Sequence, residues 1–497
     1  MVETSHARER EDPRELRERK LAELQAIGLP LLPNRYGPTR PTDEIKRDCI
    51  ALEGSRVRVA GRLMRIRGMG KASFAHLQDR AGDLQLYFKR DVLGEELYRY
   101  FKLLDLGDIV GVEGTIFKTK TGEISLQVQD VILLAKAFLP LPDKFHGLAD
   151  VEERYRRRYL DLIANPESRE AFRVRIALVR GIRRYLDDRG FDEVETPILQ
   201  PVYGGATANP FITDYAELDM QAYLRIATEL YLKRLIVAGM ERVYEIGKDF
   251  RNEGFSRKHS PEFTMIELYQ AYADYEDIMA LTEEMISTVA LDVLGAQRIT
   301  FDGHEVDLAP PWRRLSVREA LLECSGIDLE RLEDAKALRL ASAEAGISLP
   351  EEMSRGKMID ELVTEFVEPR LVQPTMLYDF PIDFPGSLLA KRKADEPGIV
   401  ERFEPYIGGM EIGNGFTELN DAADQLDRMK QAAQLRGEEF QLVDYDYLRA
   451  LSHGMPPTGG LGLGIDRIAM LLTGAHHIRE TILFPLLRPR EDDHVEP

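Results

Sequence analysis

The sequence predicts an α+β protein in two parts: a five-stranded β-barrel near the N-terminus, then a larger domain built on a largely antiparallel sheet with helices. Three observations carry this expectation. Between residues 55 and 140, short runs alternate apolar and polar residues, the period of a half-buried strand. Beyond residue 160, strand-like and helix-like runs mix without the regular βαβ alternation of a parallel sheet. The chain has 497 residues, 44% hydrophobic and 31% charged, which is enough apolar material for more than one core.

Asp12 and Pro13 open a first helix, as N-cap and first helical residue, and Gly28 lies just past its end. "LPLLPNRYGPTRP" then breaks regular structure with Pro and Gly. "RVRVAGRLMRIR", "KASFAHLQD" and "GDLQLYFKR" supply three strands, and "GEELYRYFKLL" a helical patch. "DIVGVEGTIFKTKTGEISLQVQDVILLAKAF" supplies two more strands around the turn "KTG". Five short strands with a helix after the third fit a barrel of the OB type, with another small barrel or sandwich as the alternative on pattern alone. "LPLPDKFHGLADVEERYRRRYLDL" is a charged, Pro-bearing connector. In "NPESREAFRVRIALVRGIRRYLDDRG", Pro166 suits a first turn, and Phe172, Ile176, Val179, Ile182 and Leu186 recur at helical spacing before Gly190. The divisions are a lead-in at 1–54, the barrel at 55–140, the connector at 141–160 and the second domain at 161–497.

No run of 18 apolar residues occurs, so no membrane span is expected, and the charged start "MVETSHARER" carries no secretory signal. With only Cys49 and Cys324, a reducing, cytoplasmic setting is expected and a thiolate metal site is not. As a whole-chain value, the net charge of −20 opposes a nucleic-acid partner. Charge is local, however. Residues 55–140 hold 14 Lys or Arg against 10 Asp or Glu, a local excess of +4 that leaves −24 for the remainder. That asymmetry permits an anionic partner on one part of the molecule.

Three stretches carry chemistry. "KDFRNEGFSRKHSPEFTMIELYQAY" is a hairpin whose two strand-like runs are joined by the basic loop "GFSRKHSP". Arg251 and Glu253 share one face of the first run; Phe263, Glu267 and Tyr269 share one face of the return strand. Guanidinium, carboxylates and rings on one face suit a ligand with a phosphate or carboxylate, a planar base and an amine. In "GGMEIGNGFTELND", Asn414, Phe416 and Glu418 follow period two. Glu404 and Glu411 upstream could hold Mg²⁺ through oxygen ligands, although surface acids on an edge strand are the favoured reading of that segment alone. "GGLGLGIDRIAMLLTG" matches neither G-x-G-x-x-G nor the G-x-x-x-x-G-K-[ST] loop. Its Asp466 and Arg467 open an apolar helix, either as a structural pair or with Arg467 aimed at a ligand.

"GFDEVETPIL", "FRNEGFSRKHSPEFTMIELY" and "GLGLGIDR" resemble motifs 1, 2 and 3 of class II aminoacyl-tRNA synthetases, and within them the chain resembles lysyl-tRNA synthetases from about residue 15 to 488. "MGKASFAHLQD", "GGATANPFIT", "IATELYLKRL" and "EIGNGFTELNDAADQ" belong to the same resemblance. It implies a class II catalytic domain after an anticodon-binding OB barrel, and ligation of L-lysine to tRNA-Lys at the expense of ATP, with Mg²⁺ as cofactor. It implies that Arg251 bridges the lysine carboxylate and the ATP α-phosphate, that His259 contacts phosphates with Glu253 nearby, and that Phe263 and Arg467 sandwich adenine. Arg251, His259 and Arg467 would be the catalytic set. Glu404 and Glu411 would hold Mg²⁺. Gly205 and Glu229 would receive the lysine α-amino group, Asn414 the carboxylate, and Glu418 and Tyr269 the ε-ammonium, with Phe416 along the stem and Glu267 in the supporting wall. Phe74, Gln85 and Glu123 would meet anticodon bases, and motif 1 with Pro197 would form a homodimer contact. An aspartate or asparagine enzyme is opposed by the acidic Glu418, and the factor-modifying relatives lack the barrel. "FPGSLLAKRK" departs from the family's usual loop, which bears on positions near the active site.

Overall fold

In a computed structural model that describes residues 12–142, 148–332, 334–435 and 443–490, the chain forms two compact units, Met1–Leu148 and Ala149–Pro497. The N-terminal stretch 1–10 and part of the expected connector, 143–147, lie outside the described residues.

In the first unit the helix Pro13–Ile27 begins where expected: the Asp12 carboxylate accepts from the Arg14 N–H, and Gly28 closes it at φ 80°. The five strands, β1 (Arg56–Met69), β2 (Ala72–Gln78), β3 (Asp83–Lys89), β4 (Ile109–Lys118) and β5 (Ile124–Ala135), close into a barrel in the order β1-β2-β3-β5-β4. Closure needs one parallel contact, β3 to β5. Strict alternation puts Ala75, Leu77, Leu84, Leu86 and Phe88 inside. The outer positions of the same strands hold Phe74 and Tyr87, directly paired, with ring centroids 4.8 Å apart. Phe117 continues this aromatic row, 5.8 Å from Tyr87. Gln85 accepts a 2.8 Å hydrogen bond from Ser125, and Glu123 is exposed at the start of the β4–β5 return.

The second unit is built on a mostly antiparallel sheet. Its path runs Arg313–Ser316, Thr375–Pro381, Ile399–Ile407, Gly413–Thr417, Thr458–Gly464, Glu262–Ala271, Arg242–Phe250 and Asp192–Glu193. Only the two edge pairings are parallel. Helices Pro166–Asp187, Tyr275–Leu294 and Ile465–Thr473 cover one face and share a core with Ile266, Leu268, Leu461 and Leu463. The long helix Pro166–Asp187 buries Phe172, Ile182 and Leu186 as its spacing predicts, but Ile176 is 49% exposed. Leu178 and Tyr185 take the inward positions instead, because 3.6 residues per turn rotates a position four after Phe172 off the centre of the stripe.

Candidate active site

The hairpin Arg242–Phe250 and Glu262–Ala271 is in register with Asp249 opposite Phe263, Glu245 opposite Glu267 and Val243 opposite Tyr269. The first strand stops at Phe250, not at Glu253 as its pattern suggests. Arg251 N–H still donates to Pro261 O, but Pro261 has no N–H to return, and Asn252 N–H turns away to Asn209 O. Arg251 and Glu253 therefore leave from an extended loop, not from one strand face. Beneath the hairpin, the fully buried Arg225 bonds Glu245 at 2.5 Å and pairs with Asp249 at 3.2 Å. Burial raises the Asp249 pKa to about 6.

On the return strand, Ile266 and Leu268 enter the core while Phe263, Met265, Glu267 and Tyr269 face the opposite side. The glycines of "GGLGLG" lie next to them: Gly462 stands between Glu267 and Asn414, and Gly460 between Tyr269 and Phe416. A Cβ on Gly460 would lie 2.0 Å from Glu418 Oε1 and 2.6 Å from the Tyr269 ring. The glycines are the floor of a cavity, where backbone must stand in for side chain.

That cavity, of about 180 Å³, is lined by all eight residues expected to hold an amino acid: Gly205, Glu229, Arg251, Glu267, Tyr269, Asn414, Phe416 and Glu418. Gly386, Leu388 and Leu389, from the divergent loop, line it too. Its acidic wall is buried. Glu267 accepts from Thr228 N–H at 3.2 Å and from Tyr269 O–H at 3.2 Å. Glu418 is 1% exposed, yet its Oε1 has no hydrogen-bond partner among the described residues. Burial pushes Glu267 up to about 8, helped by the Asp249 and Glu229 charges. Burial also pushes Glu418 up to about 8, with Glu229 adding to it and Lys233 opposing. Such a wall calls for a cation, since a buried carboxylate without one keeps its proton.

A second cavity of about 200 Å³ adjoins the first and is lined by Arg251, Glu253, His259, Phe263, Glu411 and Arg467. Arg251, Met265, Asn414 and Gly462 line both. The Arg251 guanidinium lies 5.0 Å over the Phe263 ring, at the junction. Asp466 and Arg467 do not pair with each other. Asp466 accepts from Thr264 N–H and Arg175, whereas Arg467 donates to Glu411 O at 2.6 Å, to the Glu411 carboxylate at 3.1 Å and toward His259 Nε2 at 3.1 Å. A guanidinium has no acceptor, so His259 Nε2 is the acceptor and Nδ1 carries the proton, bonded to Ser256 Oγ at 2.7 Å. The ring edge is exposed, but desolvation in the cavity wall, with Arg467 and Lys258, pushes its pKa down to about 4.

Glu404 does not line this cavity. It is 5% exposed and held by Arg402 at 2.5 Å and Tyr406 O–H at 2.9 Å. Burial, and next the charge of Glu411, raise it to about 7. Two carboxylates that repel beside an anion cavity are a hard-oxygen donor pair that a divalent cation would relieve. Mg²⁺ characteristically takes one or two carboxylates and leaves its other positions to phosphates and water, so these residues fit it although no cluster of three ligands occurs among the described residues. Spacing alone did not distinguish Arg402, which holds Glu404, or Lys233, which reaches Glu418 from a different segment of the chain.

The family described as tRNA synthetases class II (D, K and N) matches residues 150–488, and the OB-fold nucleic acid binding domain family matches residues 57–134. The lysine–tRNA ligase of Syntrophomonas wolfei is 49% identical over 97% of this chain and 98% of its own length. Those of Pelotomaculum thermopropionicum and Roseiflexus castenholzii are each 50% identical, over 96% and 95% of this chain and 95% and 98% of their own lengths. With two adjoining cavities joined by one arginine, and these similarities along nearly its whole length, the chain belongs to the lysine–tRNA ligases of the class II tRNA synthetase family.

Proposed function

We propose that the chain activates L-lysine with ATP to lysyl-adenylate and pyrophosphate and then transfers lysine to the 3′ end of tRNA-Lys, with lysine in the first cavity and ATP in the second. The observation that carries this reading is Arg251, which lines both cavities. The lysine carboxylate is already ionised, so the first step needs no general base. Its oxygen attacks the α-phosphorus in line as the bond to pyrophosphate breaks. Arg251, whose planar fork can meet two oxyanions, holds carboxylate and α-phosphate together and offsets the growing charge. His259 meets phosphate, near Glu253, and Phe263 and Arg467 take the adenine between ring and guanidinium. Glu404 and Glu411 would hold Mg²⁺, which supplies positive charge to the phosphates. Glu229 and Gly205 receive the α-amino group, Asn414 the carboxylate, and Glu418 with Tyr269 the ε-ammonium, with Phe416 along the stem and Glu267 behind.

Lysine binding to the empty enzyme should strengthen as pH rises from 6 to 8. A carboxyl whose folded pKa is near 8, against about 4.3 unfolded, favours the fold at low pH and penalises it increasingly as pH rises through that window. To meet an ammonium it must release its proton, so Kd should fall by up to about tenfold per pH unit for each proton released. Titration calorimetry in two buffers of different ionisation heat measures both quantities. A pH-independent Kd with no proton release would contradict the assignment of these carboxylates.

Phe74, Gln85 and Glu123 read anticodon bases, Phe74 by stacking. Phe74→Ala should weaken tRNA charging by about 1–3 kcal/mol while leaving lysine-dependent pyrophosphate exchange intact. Its ring lies on the outer, half-buried side of β2 against Tyr87, so the melting temperature should move little. Early melting would make it a core residue, whose truncation costs about 3–5 kcal/mol.

The enzyme works as a homodimer in the cytoplasm. Beside Pro197, the residues Ile198, Leu199, Ile212, Tyr215 and Leu218 are 45–61% exposed, an apolar surface that a second copy would cover. Sedimentation should give twice the chain mass, and charged substitutions at Leu199 and Leu218 should halve it. Among the described residues, no helix is long and apolar enough to cross a membrane, and both cysteines are unpaired.

A further inference from the structure

The roles above leave Lys233 unused. It lies one turn after Glu229 on the helix Glu229–Val237 and is fully buried. Its Nζ donates to Glu229 Oε1 at 2.5 Å and is ion-paired with Glu418 Oε2. Glu229 and Glu418 line the first cavity and Lys233 does not, so the ammonium stands behind both carboxylates. The other groups that face it are the Tyr269 ring, 5.9 Å from Nζ, and Tyr447 of the helix Tyr445–Ser452. Glu267 is the next carboxylate along the wall. Asp444 also lines the cavity, but Arg234 pairs with it at 2.7 Å.

A buried cation shared by two carboxylates can also simply hold a fold, as Arg225 does with Glu245 and Asp249; what sets Lys233 apart is that both of its carboxylates line a cavity. Here one ammonium serves two carboxylates from distant parts of the chain, and Glu418 Oε1 still lacks a hydrogen-bond partner among the described residues. With Glu267 beside them, the wall holds three buried carboxylates against one buried ammonium, Arg251 being left to the substrate's own carboxylate, so two charges remain unbalanced. A lysine molecule brings two ammonium groups. We infer that Lys233 is a positioning residue whose ammonium aims Glu229 and Glu418 and eases their ionisation, so that the wall, once its protons leave, is short by two cations and accepts an amino acid that supplies both. This rests on the reading of the first cavity as the lysine site. Without Lys233, three carboxylates would face two ammoniums, and the wall would take up a proton in place of the missing cation.

The test is Lys233→Met in the full-length chain, with lysine-dependent pyrophosphate exchange measured from pH 6 to 9. The expected result is a KM for lysine raised tenfold or more and a KM for ATP within twofold of wild type. The slope of log KM for lysine against pH should also become steeper by up to one, because lysine must then displace a further proton. A folded variant with an unchanged lysine KM and pH profile overturns the proposal, as does an equal loss for lysine and ATP with no change in pH dependence. If Lys233→Met does not fold, the same readouts are taken on Lys233→Gln, whose amide can still donate to one carboxylate. Failure of both to fold makes Lys233 a stability residue and also overturns the proposal. A wild-type chain without lysine-dependent exchange would overturn the reading of the cavity itself, and with it the proposal.

Discussion

Arg251→Ala should lower lysine-dependent pyrophosphate exchange by at least about 10²–10³-fold, the cost of one lost donor to a developing oxyanion, while the protein still folds. The size of the effect follows from position. Arg251 is common to both cavities, so its loss removes a contact to the nucleophile and one to the phosphorus it attacks. The fold should survive because, among the described residues, the side chain is tied to the protein only by a long 3.4 Å bond from Nε to Ile226 O and by the Phe263 ring. The hairpin is held instead by its ladder and by Arg225 beneath it. Exchange should be measured together with circular dichroism and thermal melting. Wild-type exchange in a correctly folded variant would falsify the assignment. Arg251→Lys should recover little, since a point charge cannot meet two oxyanions as a planar fork does.

Glu418→Gln should give the second-largest loss, confined to lysine. Removing one partner of a buried, hydrogen-bonded charge pair costs about 2–5 kcal/mol, which is roughly 30-fold to beyond 10³-fold in kcat/KM. The KM for ATP should barely move, because Glu418 lines only the first cavity. The substitution preserves shape in a tight place, where Gly460 is bare so that the carboxylate and Tyr269 fit. Lys233 keeps Glu229 as its counter-ion, so the empty protein should remain folded. An equal loss for ATP, or none for lysine, would make Glu418 a structural residue.

Much of this was legible in the residues because it is local. The cap at Asp12, the left-handed Gly28 and the alternation in β2 and β3 are decided by neighbours a few positions apart. The parity of Phe263, Glu267 and Tyr269 follows from the two-residue period of a strand, and the return strand keeps that period through to Ala271. The glycines between Gly459 and Gly464 were legible as a close approach, but not what approaches. Their partners, Glu267, Tyr269, Asn414 and Phe416, are on strands contributed by other parts of the chain.

The sequence by itself determined the two-part architecture, the barrel's strand periods, and, through the three motifs, most of the residue types that line the two cavities. Only the tertiary structure decided how their charges are balanced. Asp466 and Arg467 are adjacent, yet Arg175 and Thr264 take the first while Glu411 and His259 take the second. Glu404 sits outside the lining of the second cavity, held by Arg402 and Tyr406, and Lys233 joins carboxylates from two distant segments. The reason is that a buried charge must find a partner wherever the fold brings one. That search runs through space across strands far apart in the chain, whereas periodicity reports only which side of its own element a residue faces.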